Sequence, residues 1–274
     1  MTNPPSVSRG RRPAQGDPVI DRAFALLTAF NESRRAMTLA ELSRATDTPP
    51  STTLRLARRL LHWGALERDA DGRFVVGLRL WEVASLAPRA HGLRTVALPF
   101  MEDLYEATHQ HVLFAVLDGM EALLVERLSA REAVDVLYRV GGRLPLHSTG
   151  VGLVLLAHAD PDFQERYLAQ PLVHEPEGVP LSPAALRRAL AEVRRNGIAV
   201  VNRQEPRPLL AAAVPVRGAD GDVVAALSVV VPAGHTEPRF ISPALRATAR
   251  ALSRGLGAPV SAAPPLGRFP DPPR

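Results

Sequence analysis

The residues best suited to chemistry in this sequence are a run of hydrogen-bond donors around position 55. They carry hydroxyl or guanidinium groups, and no carboxylate interrupts them: Ser51, Thr52, Thr53, Arg55, Arg58 and Arg59. Hydroxyl groups can bond base edges or phosphates, and an arginine can bond the edge of a guanine through two hydrogen bonds at once. An arginine-rich run is also typical of a helix surface that only faces water. The neighbouring elements therefore decide between the two interpretations.

Residues 38–77 predict a helix, a turn, a second helix and a β-hairpin, in that order. Thr38 and Glu41 have the spacing of a capping box, in which each side chain bonds the backbone N–H of the other residue. This pair predicts a short first helix over residues 39–45. A turn that contains aspartate, threonine and two prolines follows it.

The second helix of this stretch carries the donor run. We predict that Thr48 is its N-cap and that Pro49 occupies its first helical position, where a missing N–H costs little free energy. The apolar residues at helical spacing, which predict the buried stripe, are Leu54, Ala57, Leu60 and Leu61. The donors then lie on the other faces, as in a helix whose N-terminal half enters a DNA major groove.

The hairpin follows directly. Asp71-Gly72 lies between two short β-prone segments, residues 66–69 and 73–76, and this pair is typical of a two-residue type I′ turn. Arg73 then stands near the tip. Helix, turn, helix and hairpin together are the layout of a winged helix-turn-helix. The sequence therefore predicts a DNA-binding domain in which Arg73, on the wing, joins the donor run in contacting double-stranded DNA.

The net charge is confined to the same part of the chain. All 33 of the lysine-plus-arginine total are arginines, and 13 of them lie in residues 1–80 against 8 acidic residues. Residues 81–274 hold 20 arginines and 20 acidic residues, so the whole net charge of +5 belongs to the N-terminal part. A basic N-terminal part favours a nucleic acid partner, and a neutral remainder favours a different one.

Several classes of protein are disfavoured by what the sequence lacks. It has no cysteine, so we expect neither a disulfide framework nor a thiolate metal site. It shows no apolar export segment and no run of about 18 apolar residues, which favours a cytoplasmic protein without a membrane segment. It has no nucleophile elbow, zinc-protease helix or phosphate loop, so we predict no catalytic residue, no metal and no cofactor. His109 and His111 are better explained as a helix end leading into a strand than as a metal pair.

The chain divides into five predicted segments. They are a disordered basic arm (1–16), the winged helix-turn-helix domain (17–80), a linker helix region interrupted at 88–92 (81–108), a C-terminal domain (109–257) and a proline-rich disordered tail (258–274).

The C-terminal domain is predicted to be a mixed α/β (α+β) unit with a mostly antiparallel sheet flanked by helices. The predicted strands are 111–117, 122–128, 134–140, 198–201, 209–216 and 223–231. The predicted helices are 150–157, 162–168, 183–196 and 242–255.

The start of the helix near residue 150 has the composition of an anion site. The N–H groups of Gly150, Val151 and Gly152 are expected to point out of the positive helix end, where a carboxylate binds well. Ser148 and Thr149 add hydroxyl donors just before it. The residues expected to complete the site as an apolar wall are Leu146, Leu209 and Ala211. The alternative is that Ser148 or Thr149 only caps the helix and the nearby glycines only form a turn.

Over about residues 17–257 the chain resembles the IclR family of bacterial transcriptional regulators. The resemblance rests on the winged helix-turn-helix and on four later segments: VGGRLPLHSTGVGLVLLA at 140–157, GIAVVNRQE at 197–205, AAAVPVRGADGDVVAALSVVVP at 211–232 and SRGLG at 253–257. It implies a GAF-like effector-binding domain joined to the DNA-binding domain by a linker helix. It also implies homodimers or homotetramers, and control of an operon by a small organic or aromatic acid.

The resemblance also implies which residues bind the effector. They are Gly141, Leu146, His147, Ser148, Thr149, Gly150, Val151, Gly152, Asn202, Leu209, Ala211 and Ser228. Leu153 stands where the family commonly has a lysine, and Asn202 stands where it often has an aspartate. Two functions follow. The first is a regulator whose affinity for a pseudo-palindromic operator responds to a carboxylate effector. The second is a regulator that binds DNA constitutively, with a C-terminal domain that only oligomerises.

Overall fold

The structure is a computed structural model that describes residues 19–31, 33–129, 138–174, 179–203, 208–234 and 237–259. The chain forms two compact units, and the boundary between them lies between Ala87 and Pro88. The predicted basic arm and nearly all of the predicted tail lie outside the described residues. The described residues form one hydrophobic core in the N-terminal unit and two in the C-terminal unit.

The N-terminal unit combines helices with a small sheet. Its elements are α1 (Val19–Thr28), β1 (Ala36–Met37), α2 (Leu39–Ala45), α3 (Pro50–Trp63), β2 (Leu66–Arg68), β3 (Phe74–Val76) and α4 (Leu78–Ala84). The sheet has the order β1-β3-β2, and both pairings are antiparallel. Leu26, Leu42, Ala57 and Phe74 contribute to one core beneath the helices and the sheet. The predicted winged helix-turn-helix is confirmed, with β1 as an additional strand that is too short to show a sequence pattern.

The capping box at the start of α2 is present as predicted. The Glu41 N–H donates to the Thr38 hydroxyl at 3.3 Å, and the Thr38 N–H donates to the Glu41 carboxylate at 2.7 Å. This backbone hydrogen bond, and after it the one from the Thr38 hydroxyl, lower the pKa of Glu41 because they stabilise the ionised form. The pair fixes the first turn of α2.

The start and the buried face of α3 differ from the prediction. Pro49, not Thr48, is the N-cap, and no side chain caps the helix. The Thr48 hydroxyl donates to the Thr46 carbonyl instead. The buried residues are Thr53, Leu56 and Ala57, whereas Leu54, Leu60 and Leu61 are only half-buried. The buried face is shifted around the helix because Thr53 can be buried when its hydroxyl bonds a carbonyl one turn earlier.

The turn of the wing is not of type I′. The Gly72 N–H donates to the Asp69 carbonyl at 3.0 Å, and the Asp69 N–H donates to the Arg73 carbonyl at 3.0 Å. A type I′ turn needs positive φ at both central residues, but Gly72 has φ of 75° and Asp71 has no positive φ. The connection is therefore longer, with the glycine in the left-handed conformation that follows a type I turn.

The C-terminal unit contains the larger sheet. Its elements are α5 (Pro88–Thr108), β4 (His111–Asp118), β5 (Glu121–Leu128), β6 (Arg143–Pro145), α6 (Gly150–His158), α7 (Pro161–Leu168), β7 (Val173–His174), β8 (Val179–Pro180), α8 (Pro183–Asn196), β9 (Ala199–Arg203), β10 (Leu209–Arg217), β11 (Val223–Pro232) and α9 (Pro238–Gly255). Six strands pair in the order β6-β5-β4-β11-β10-β9, and every pairing is antiparallel. The predicted α/β fold with an antiparallel sheet is confirmed.

Helices cover both faces of this sheet. Residues of α6, α7 and α8 form one core with one face, and residues of α5 and α9 form a second core with the other. Side chains alternate between the two faces along a strand. In β11, Ala226 and Val230 belong to the first core, whereas Leu227 and Val229 belong to the second. Because both faces are covered, the strands are almost continuously apolar.

Three predicted boundaries in this unit are wrong. The structure shows no interruption at 88–92, because Pro88 stands at the start of α5 and the helix continues to Thr108. α9 begins at Pro238, before the predicted start at Ser242, and Pro243 lies inside it. Residues 134–137 of the third predicted strand lie outside the described residues, while 138–140 are not in a strand. The edge strand is β6 instead.

Candidate functional site

The outer surface of α3 presents most of the predicted donors together. Ser51, Arg55, Arg58 and Arg59 are exposed, and they line one shallow depression with Leu54 and His62. The sequence prediction omitted His62, although its position one turn after Arg58 places it on the same face. Thr52 is half-exposed beside them. The helix therefore offers hydroxyl, guanidinium and imidazole groups over more than two turns.

The guanidinium groups of this surface are available to a ligand. No described residue forms a salt bridge with Arg55, Arg58 or Arg59. Arg68, by contrast, donates to the Gly72 carbonyl of the wing turn and lies 4.2 Å from the centroid of the Phe74 ring. Arg73 is exposed at the wing, as predicted. An uncompensated cationic surface of this kind suits a polyanion.

Thr53 does not belong to this surface. Its side chain is fully buried, with 0% exposure, and its hydroxyl donates to the Thr48 and Pro49 carbonyls, both at 3.1 Å. The prediction that Thr53 contacts DNA is therefore wrong. Its hydroxyl instead holds the turn between α2 and α3, where Thr48 also accepts a bond of 2.6 Å from Ser43.

The C-terminal unit contains a cavity between the sheet and the N-terminus of α6. It has about 500 Å³ of empty space, including the part open to solvent. The residues that line it are Leu113, Tyr138, Leu144, Ser148, Thr149, Gly150, Val151, Val201, Arg203, Leu209, Ala211, Ser228 and Val230. Seven of the predicted effector residues, Ser148, Thr149, Gly150, Val151, Leu209, Ala211 and Ser228, are thus brought together around one cavity. Its walls are mostly apolar, as is usual for small-molecule sites.

The N-terminus of α6 supplies fewer free donors than predicted. The Thr149 hydroxyl caps the helix, because it accepts the Gly152 N–H at 3.1 Å while it donates to the Pro145 carbonyl at 2.7 Å. Thr149 and Gly152 are therefore structural, and the prediction that they donate to a ligand is wrong. The N–H groups of Gly150 and Val151 have no partner among the described residues. Such orphan N–H groups at a helix start are typical anion donors.

Ser228 gives the cavity a buried polar floor. It lies on β11 with only 2% exposure, and the described part of the chain offers its hydroxyl no hydrogen-bond partner. It pairs in register with Ala213, whose Cβ faces the backbone of Gly150. Because Ser228 lines the open cavity, its hydroxyl is available to donate to a ligand acceptor near the start of α6.

Four further predicted effector residues do not line the cavity. Leu146 is completely buried in the core, and Gly141 forms a turn with φ of 75° and donates its N–H to the Leu124 carbonyl at 2.7 Å. The His147 ring is held between the Tyr167 hydroxyl, at 2.7 Å, and the Val173 carbonyl, at 2.8 Å. Asn202 is exposed on the face of β9 opposite to the cavity. The predictions for these four residues are therefore corrected.

The sequence prediction missed the one charged side chain among the described residues that line the cavity. Arg203 donates to the Tyr138 hydroxyl at 3.1 Å, and its guanidinium carbon lies 5.7 Å from the centroid of the Tyr138 ring. Arg203 follows Asn202, so a shift of one residue along the strand moved the prediction to the wrong face. The other lining residues that were missed are Leu113, Leu144, Val201 and Val230.

Metal and membrane sites find no support in the described part of the chain. It contains no group of three or more histidine, aspartate and glutamate side chains that could hold a metal ion. His111 is buried at the start of β4, and its Nδ1 lies 3.0 Å from the Ser129 hydroxyl oxygen. No helix within the described ranges is long and apolar enough to cross a membrane.

The two units match two family models. Residues 19–70 match the IclR helix-turn-helix domain, and residues 87–254 match the model described as bacterial transcriptional regulator IclR C-terminal. Among curated proteins, the HTH-type transcriptional repressor AllR of Escherichia coli K12 is 30% identical over 263 residues, which cover 92% of this chain and 97% of AllR. The Pca regulon regulatory protein of Pseudomonas putida is 30% identical over 260 residues, covering 88% of this chain and 86% of that protein.

Solved structures agree with these relatives. An IclR homologue from Microbacterium hydrocarbonoxydans, solved in complex with 4-hydroxybenzoate, is 39% identical to this chain with a TM-score of 0.81. The match covers 87% of this chain and 99% of that one. The DNA-binding unit, the apolar cavity and these matches lead to one conclusion: the chain belongs to the IclR family and is a DNA-binding transcriptional regulator.

Proposed function

We propose that a small organic acid binds in the cavity beside α6 and changes the affinity of this regulator for its operator. The observation that carries this proposal is the Ser228 hydroxyl, which lines the same cavity as Gly150 and Val151; within the described ranges neither this hydroxyl nor the N–H groups of those two residues have a hydrogen-bond partner. A carboxylate that binds beside these donors gains charge-assisted hydrogen bonds from them. The helix N-terminus adds a favourable partial positive charge.

The rest of the ligand is apolar and small. Leu113, Leu209, Ala211 and Val230 form the surface of the sheet that faces the cavity. An aromatic ring packs well on such a surface. The Microbacterium homologue described above contains 4-hydroxybenzoate, an acid of this size and class. We therefore propose a small aromatic acid as the effector.

The DNA-binding surface is the outer face of α3 together with the wing. We propose that α3 lies in the major groove, where Ser51, Thr52 and Arg55 near its N-terminus approach base edges or phosphates. Arg58 and Arg59 follow along the helix, and we assign them to the phosphate backbone. Arg73 contacts the backbone or the minor groove from the wing.

We propose that the regulator acts in the cytoplasm as a homodimer or homotetramer on a pseudo-palindromic operator, because a two-fold site requires two DNA-binding units. The N-terminal unit exposes large apolar side chains on α1 and α4, among them Ile20, Phe24 and Trp81, with 67%, 61% and 65% exposure. Exposed apolar side chains of this size favour association. We assign them to contacts with a second copy of the chain.

The test is fluorescence anisotropy of labelled upstream DNA with the full-length protein at about 150 mM salt. The measurement is made with and without 4-hydroxybenzoate, benzoate and a non-aromatic acid such as acetate. We expect specific binding whose midpoint shifts with an aromatic acid but not with acetate. Ser228→Ala should weaken the response to the acid and leave DNA binding without ligand unchanged. Specific binding that ignores every acid refutes the effector and supports the constitutive regulator.

A further inference from the structure

We propose that Arg203 and Tyr138 form a second polar anchor in the cavity, which selects acids that carry a polar group at each end of an apolar body. This inference rests on the proposed ligand function and specifies the class of ligand. One anchor is the start of α6 with Ser228, and the other is the Arg203–Tyr138 pair.

The strand register places the two anchors at opposite ends of the cavity floor. Arg203 pairs with Leu209 at one end of β10, and Ser228 pairs with Ala213 further along the same strand. Gly150 packs over Ala213 and Ala211. Four residues of antiparallel strand span roughly 14 Å. Arg203 also lies on β9 and Ser228 on β11, on either side of β10, so the anchors are separated diagonally across the sheet.

The space between the anchors offers no polar partner from the sheet. Leu209, Ala211 and Val230 lie there, and Leu113 borders Ser228 on the next strand. No carboxylate is found among the described residues that line the cavity. A ligand that reaches both anchors therefore needs an apolar body, and its end near Arg203 needs a hydrogen-bond acceptor.

The chemistry of Arg203 favours an anionic acceptor. Its guanidinium group has five N–H donors, and its single hydrogen bond among the described residues uses one of them, for the Tyr138 hydroxyl. The Tyr138 carbonyl is in turn held by Arg127 at 2.6 Å, which fixes the residue that supports Arg203. A guanidinium group with free parallel donors binds a carboxylate through two hydrogen bonds.

The ligand class follows from these two anchors. A benzene ring with a carboxylate at one end and an acceptor at the opposite end can engage both anchors. Among matched probes we expect 1,4-benzenedicarboxylate to bind most tightly, 4-hydroxybenzoate next and benzoate least. The preference arises because a charged acceptor gains more from Arg203 than a neutral hydroxyl, and a bare ring gains nothing.

Isothermal titration of the full-length protein with these three probes tests the inference. Hydrogen bonds to charged groups contribute enough for about a tenfold preference or more for the dicarboxylate over benzoate. Arg203→Gln should reduce this preference to within about twofold. Arg203→Lys keeps the charge without the parallel donors, so we expect an intermediate preference. Arg195→Gln, on the exposed surface of α8, removes the same charge outside the cavity and should behave like the wild type.

The outcomes separate this inference from the proposed function. If the three probes bind the wild type with equal affinity and shift DNA binding, the effector function stands and the second anchor is refuted. Retention of the full preference by Arg203→Gln also refutes it. If none of the probes binds, the proposed aromatic effector and the second anchor are refuted together. Thermal unfolding of each variant checks that the fold is intact, and Arg203→Lys still tests the anchor if Arg203→Gln does not fold.

Discussion

Replacement of Gly152 by alanine tests whether this glycine serves the packing of α6 or the ligand. A Cβ at this position lies 2.5 Å from the Pro145 carbonyl oxygen and 2.6 Å from both the Leu146 Cα and the Thr149 hydroxyl oxygen. Two of these three atoms are backbone, so they can move away only if the loop before α6 shifts. Such a shift also separates Thr149 from the N–H that it caps.

The expected cost combines three effects. Loss of the N-cap removes about 1 kcal/mol. Overpacking and the backbone shift cost roughly 1–3 kcal/mol. The higher helix propensity of alanine returns up to about 1 kcal/mol. The net destabilisation of the C-terminal unit is therefore about 1–4 kcal/mol, which lowers its unfolding temperature by roughly 2–16 °C for a unit of this size.

Differential scanning calorimetry of the full-length protein measures this change, and Gly92→Ala is the matched control. Gly92 lies in α5, and a Cβ there meets no atom within 4 Å. We expect this control to raise the stability by up to about 1 kcal/mol, opposite in sign to Gly152→Ala. The packing argument is refuted if Gly152→Ala unfolds at the wild-type temperature or above it. Weaker ligand binding by a Gly152→Ala protein of undiminished stability would instead assign the glycine to the ligand.

Three further predictions concern DNA binding and pH. Arg55→Ala should weaken operator binding by about 1–3 kcal/mol in anisotropy if Arg55 contacts a base. The control Arg188→Ala, on the exposed surface of α8, should leave operator binding unchanged. Equal effects of the two substitutions would refute the placement of α3. Thr53→Val should lower stability by about 1 kcal/mol and leave operator affinity unchanged, because the lost hydroxyl bonds only backbone carbonyls. A drop in affinity without a drop in stability would return Thr53 to the DNA surface. Burial lowers the pKa of His158 in the folded state below the ordinary histidine pKa of about 6.5. As the pH drops below that value, the unfolded state therefore binds more protons than the folded state, and stability should fall. His158→Gln should show a shallower fall in calorimetry between pH 7 and pH 5, and an identical fall would contradict this.

Local signals predicted the helix boundaries best. The capping box of Thr38 and Glu41 lies next to the helix start that it determines, and it is present. The predicted helix 183–196 is also present with these bounds, and it ends at Gly197 in the left-handed conformation that glycine favours. These features depend on neighbours in the chain, so the sequence is sufficient to find them.

The buried face of α3 could not be found in the same way. Periodicity assigns apolar residues to the core, but here Thr53 is buried because its hydroxyl bonds backbone carbonyls at the preceding turn. The hairpin turn differed for a similar reason, since Asp71-Gly72 suits more than one turn type. Only the φ and ψ angles of Asp71 and Gly72 distinguish these turn types.

The residues that line the cavity were predicted where they are neighbours in the chain and missed where they come from distant segments. The loop and helix start at residues 148–151 line the cavity, and their neighbourhood in the chain made them visible. Arg203 and Tyr138 come from distant segments that only the strand pairing brings together. Asn202 was chosen in place of Arg203 because a single sequence does not fix which residues of β9 face the cavity.

The alternation along β11 has a mechanical consequence. Ser228 lies at the cavity floor, while its direct neighbours Leu227 and Val229 pack in the core that contains Ala97 and Met101 of α5. The thickness of one strand thus separates the cavity from the second core of the C-terminal unit, which α5 and α9 share. We expect a small displacement of β11 to act on the cavity and on this core at once, because its side chains alternate between the two faces of the sheet. Enlarging or shrinking Leu227 or Val229 should therefore alter communication while leaving every ligand contact in place.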